Sequence, residues 1–136
     1  MADLVDLVLA MSDVEYPAMR REVMRALAAF SDRDYQERVW VQRNYPDSNF
    51  YDDLTQNVHV LYDDSQVLPD PESRLRWVLL AGDELDRLRA LDSVLGPMID
   101  ELGEAPDAAY LRDSRWPSVM SAASRALSAM VLAGGF

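Results

Sequence analysis

The apolar spacing between Asp83 and Leu102 constrains this chain more than any other feature. Leu85, Leu88, Leu91, Leu95, Ile99 and Leu102 recur at intervals of three and four, which is the repeat of one buried helical stripe. So long a stripe needs a second apolar surface to cover it. The C-terminal segment offers one: Val119, Met120, Ala123, Leu127 and Met130 fall on one face of a helix that starts near Trp116 and Pro117. Ser118, Ser121, Ala122 and Ser124 keep that helix slim and allow close packing. Pro97 sits inside the first helix and cannot donate to the carbonyl of Ser93, so the pattern predicts a kink or two abutting helices. Gly103 then serves as the C-cap, and Pro106 to Leu111 reads as a turn or two of helix.

Upstream, Leu4, Leu7, Val8 and Met11 make a short helical stripe with Asp3 as its cap. Pro17 fits the first turn of the next helix, whose buried stripe is Met19, Val23, Leu27 and Phe30. Arg20, Arg21 and Arg25 are expected off that stripe, facing solvent. Ser31 with Asp34 three positions later resembles a capping arrangement, which favours a helix over a strand for residues 34–43. Residues 45–49 read as a loop. In residues 57–62, Val58, Val60 and Tyr62 alternate with His59 and Leu61, the period of a half-buried strand. Asp63, Asp64 and Ser65 would turn the chain, Val67 and Leu68 would return it, and Pro69 and Pro71 would stop it. Glu72 to Leu80 suits either a short helix or an edge strand. The expected fold class is therefore α+β: a mostly helical single domain, residues 1–136, with a small central antiparallel hairpin.

Charge and residue usage narrow the functions. With 24 acidic and 13 basic residues, the net charge of -11 opposes a nucleic-acid backbone and favours a basic protein partner. The chain has no cysteine, which excludes disulfides, thiolate catalysis and cysteine metal sites. Residues 1–13 carry Asp3 and Asp6 and no basic region, unlike a secretory signal, and no apolar run reaches membrane-spanning length, so a cytoplasmic protein without membrane contact is expected. None of the five glycines lies in a phosphate-binding loop, and no cofactor is expected.

Two acidic pairs, Asp52 with Asp53 and Asp63 with Asp64, bracket the single histidine, His59. Their spacing matches no calcium loop, and one histidine builds no multi-histidine centre, so no metal is expected. His59 could act as a general base oriented by Asp52 or Asp53, but no serine sits in a nucleophile elbow. The plainer reading makes Asp52 and Asp53 a solvated loop and Asp63 and Asp64 turn residues. Glu72, Glu84 and Glu101 are acids beside apolar residues, as helix surfaces carry routinely. Trp40, Tyr45, Phe50, Tyr51 and Tyr62 flank the acidic stretch, and such rings suit a protein interface. The candidate binding residues are Trp40, Phe50, Tyr51, Asp52, Asp53, His59, Tyr62, Asp63 and Asp64. The favoured function is a non-catalytic protein-interaction module, with a homodimer also compatible. A small enzyme or ligand-binding protein using Asp52, Asp53, His59, Asp63 and Asp64 is the other class.

The phrases YQERVWVQRNYPDSNFYDDLTQNVHVLYDD at 35–64, VLPDPESR at 67–74 and RWPSVMSAASRAL at 115–127 resemble a family of small conserved actinobacterial proteins. The resemblance implies one intact domain and supplies no catalytic residues. Its signature positions here are Trp40, Tyr51, Asp52, Asp53, Asn57, His59, Asp63, Asp64, Pro69, Pro71, Glu72 and Trp116. In type, a small, acidic, cysteine-free chain is also similar to immunity proteins, whose carboxylates occlude a toxin's basic cleft.

Overall fold

Helix α1, Pro17–Ser31, begins with proline in its first turn and buries Arg20, Val23, Ala26, Leu27, Ala29 and Phe30. The structure is a computed structural model and describes residues 14–134; the expected stripe at Leu4, Leu7, Val8 and Met11 lies outside them. Asp32 caps α2, Arg33–Tyr35, by accepting from the Tyr35 N–H at 3.0 Å. The cap is thus Asp32 rather than Ser31, which ends α1 with its hydroxyl on the Leu27 carbonyl. The chain widens at once into a π-helical segment, Gln36–Val41. Residues 34–43 are therefore helical over most of their length, as the sequence favours.

The central hairpin does not form. Asp53 caps α3, Leu54–His59, accepting from the Gln56 N–H at 2.8 Å, and α3 runs into a second π-helical segment, Val60–Asp64. The alternation that suggested a strand has a packing cause. Val58 and Tyr62 flank a cavity against α4, Asp83–Leu102, while Val60 flanks one against α1. Leu54 and Leu61 point between the two into the core. A helix wedged between two neighbours is apolar on several sides and loses its simple period. Val67 and Leu68 are buried but unpaired as a strand, the Leu68 N–H reaching the Leu61 carbonyl at 3.1 Å. Residues 72–80 are neither helix nor edge strand throughout: a 3-10 turn, Pro71–Arg74, leads into a tight turn closed by Arg76 N–H to Leu79 O at 2.8 Å. Among the described residues there is no strand, so the fold is all-α and the α+β expectation is overturned.

Pro97 lies within α4, which is one helix ending at Gly103 in a positive-φ cap. After α5, Asp107–Arg112, helix α6, Trp116–Leu132, packs between α1 and α4. Alanines 123, 126 and 129 on its buried face let both neighbours approach closely. Its first residue, Trp116, is fully buried against Phe30 and Trp40, with ring centroids 6.0 and 6.3 Å away. The Trp116 indole donates to Gln36 Oε1 at 2.9 Å, and the Gln36 amide donates to the Ala29 carbonyl at 2.8 Å, so this buried polar chain is satisfied.

Arg20, expected at the surface, is 0% exposed and so is the side chain of Glu84. The guanidinium donates bidentately to Glu84, at 2.6 and 2.8 Å, and reaches the carbonyls of Val78 at 3.1 Å and Met130 at 3.3 Å. Glu84 also accepts from the Leu80 N–H at 3.0 Å. One pair thus joins α1, α4, the 75–80 turn and the end of α6. Removing a single partner strands a buried charge, so Glu84→Leu should cost about 3–5 kcal/mol in chemical denaturation. The double variant Arg20→Met/Glu84→Leu should recover much of that loss. A Glu84→Leu protein destabilised by less than about 1 kcal/mol would contradict the assignment.

Candidate functional site

A groove of about 550 Å³ opens between α1, the 50–53 loop and α3, lined in part by Glu22, Asp32, Tyr35, Phe50, Tyr51 and Asp52. Each wall follows from local sequence. Glu22, Arg25 and Ala29 recur at helical spacing on the side of α1 turned away from Arg20. The Asp53 cap starts α3 so that Gln56, Asn57 and Val60 face the same space.

Asp52 anchors the groove. Its Oδ2 accepts from the Tyr35 hydroxyl at 2.7 Å and the Trp40 indole N–H at 2.9 Å, and its Oδ1 accepts from the Asn57 amide at 2.8 Å. Asp52 is half-buried, so it is no solvated loop residue. Three donors from three parts of the chain fix its carboxylate while leaving acceptor capacity. Burial, together with the hydrogen bond to Asp52 and its negative charge, pushes the Tyr35 hydroxyl far above its ordinary range. Tyr35 therefore holds its proton and acts as a donor, not as a base.

The aromatic rim rests on Tyr45, whose ring lies 5.9 Å from Phe50 and 5.8 Å from Tyr51. Tyr51 is 58% exposed, and its hydroxyl donates to Asp53. That bond and the charge of Asp53 raise the Tyr51 hydroxyl above its usual value. Behind the loop, Asp107 accepts from the Leu54 N–H at 3.0 Å. Burial raises the Asp107 carboxyl, against the lowering effect of that N–H, and Asp53 and Asp52 add repulsion.

The structure brings only some of the sequence candidates together. Phe50, Tyr51 and Asp52 line the groove, and Asp53 caps the helix beside it. Trp40 is 2% exposed and contributes its indole N–H from within the core. His59 pairs with Asp63 one turn on, both exposed, away from Asp52 and lining separate cavities. Tyr62 donates to Asp92 at 2.7 Å on the α4 side, with its hydroxyl raised by burial and by that carboxylate. Asp64 flanks another surface, near Tyr16 and Trp77. Glu22, Asp32, Tyr35 and Gln56 also line the groove without being sequence candidates, as does Asn57, marked in the sequence only as a signature position of the family resemblance. The Asp53-to-Gln56 cap spacing was the signal that would have placed Gln56 and Asn57. Among the described residues no group of three or more His, Asp or Glu side chains is placed to hold a metal ion.

The family match falls on this arrangement. The chain belongs to the DUF7945 family, a domain of unknown function matched over residues 14–135. No curated protein and no solved structure matches it. The DUF7945 span includes every residue of the groove, and it agrees with the uncharacterised family that the phrases at 35–64, 67–74 and 115–127 implied. Among the described residues no helix is long and apolar enough to cross a membrane.

Asp107 gives the site a pH signature. Its folded value lies above its unfolded one, so its contribution to stability is greatest at low pH and falls as pH rises from about 4 through the raised folded value. Asp107→Asn keeps an acceptor for Leu54 and removes the buried charge. Across that window the wild-type melting temperature should fall relative to the variant. Parallel profiles would place Asp107 in solvent.

Proposed function

We propose that this DUF7945 protein is a non-catalytic interaction module that binds a basic protein through the groove between α1, the 50–53 loop and α3. The single observation that carries the reading is Asp52, a carboxylate held by three donors at the wall of an open groove rimmed by Phe50 and Tyr51. Glu22 and Asp32 add two further carboxylates to the lining, against the one guanidinium of Arg25, which pairs with Glu22 at 3.0 Å. With a net charge of -11, the surface as a whole favours encounter with cations, and the rings offer contact area that excludes water.

A catalytic reading needs His59 to work with Asp52 or Asp53. Its neighbour is instead Asp63, on an exposed helical turn, and Tyr35 keeps its proton. Neutralisation of a toxin's cationic cleft would be one instance of basic-protein binding and rests on the same charge. A cytoplasmic setting belongs to this reading.

The test is a native pull-down followed by measured affinities for the partner recovered. The partner should be basic, and its association should slow as salt rises, because exposed charges are screened. Glu22→Lys should mainly slow association, and Tyr51→Ala should mainly speed dissociation, both without unfolding the chain. An acidic partner, or a basic one indifferent to both substitutions, would move the interface off the groove.

A further inference from the structure

The acceptor count at Asp52 says more about the partner, on the premise that the groove is the binding face. A carboxylate offers about four acceptor sites, two on each oxygen. Tyr35 and Trp40 occupy both sites on Oδ2, and Asn57 occupies one on Oδ1. One site is left. A guanidinium engages a carboxylate best through two parallel N–H bonds, one to each oxygen. Asp52 cannot receive that fork without giving up Tyr35 or Trp40. An ammonium is a compact point charge that needs one acceptor and takes its remaining partners from other groups.

From this we infer that the groove is a lysine pocket: it receives the side-chain ammonium of one lysine presented by the partner and discriminates against arginine. Tyr35, Phe50 and Tyr51 line the approach, and aromatic rings attract a cation within reach of their faces. Glu22 is the second carboxylate on that lining open to exchange, since its present partner, Arg25, is an exposed side chain on the same helix. Asp32 is already engaged by the Tyr35 N–H and contributes charge more than a contact. The fixed carboxylate spares the complex the cost of ordering it, which favours affinity. The lysine stem, apolar over its length, would lie against the rings and Ala26 and Ala29.

The Trp40 indole N–H, bonded to Asp52, is a built-in reporter. Three synthetic peptides, identical except for a central lysine, arginine or Nε-acetyl-lysine, are titrated into protein labelled with nitrogen-15 at indole, with Trp77→Phe and the buried Trp116 resolving the assignment. The lysine peptide should shift the Trp40 resonance saturably and bind at least about tenfold tighter than the arginine peptide, the size of one charge-assisted bond. The acetylated peptide should leave the resonance in place. Asp52→Asn should abolish the preference; Glu22→Gln, exposed and safe for folding, should weaken lysine binding and keeps the test meaningful if the first variant unfolds. Equal or tighter arginine binding at the Trp40 reporter would overturn lysine selectivity and leave the groove as the binding face. Peptide binding that shifts other resonances and never Trp40 would overturn both.

Discussion

The ion pair between Arg20 and Glu84 sets the geometry on which the groove depends. Burying two charges is costly, and it is tolerated here because the guanidinium has two carboxylate oxygens and two backbone carbonyls as partners, while Glu84 also holds the Leu80 N–H. These bonds are directional where the surrounding leucine contacts are not. They fix the rotation of α1 about its axis, and rotation decides which side chains face the groove. With Arg20, Val23 and Leu27 turned inward, Glu22 and Arg25 must turn out. The wall of the candidate site is thus the reverse side of the helix that carries the buried charge.

The long periodic helices were legible because α4 and α6 each bury one face. Leu85, Leu88, Leu91 and Leu95 are all buried, as are Val119, Ala123 and Met130. Near the end of α4 the stripe moves to Met98, and Ile99 and Leu102 are only partly buried. The ion pair was hidden by residue type and visible in spacing. Arg20 stands three before Val23 and seven before Leu27, and Glu84 stands four before Leu88 and seven before Leu91. A cation on one apolar stripe and an anion on another is the pattern of a buried pair. The α3 region imitates the alternation of a strand because its apolar residues, and those of the π-helical segment that continues it, serve several surfaces at once.

The candidate site was legible as composition but not as geometry. Rings and carboxylates crowd residues 40–64, and the structure distributes them over different faces. Only Phe50, Tyr51 and Asp52 converge directly, on partners from α1 and α2 that lie far off in sequence. The two π-helical segments contribute here. Each shifts the register of the residues beyond it by carrying an extra residue per turn. The first places the Trp40 indole behind Asp52, and the second begins at Val60 on the groove wall. The result is a half-buried carboxylate fixed by three donors of the chain itself, at the groove wall of a strongly anionic protein.

Zero-length carbodiimide coupling between the chain and its recovered partner tests this account most directly, since the reagent joins only carboxylates and amines already in contact. The account predicts cross-links from Asp52 or Glu22 to a partner lysine, lost when salt disperses the complex. Cross-links confined to Asp63, Asp64 or the outer face of α4, with the groove carboxylates unmodified in the complex, would contradict it.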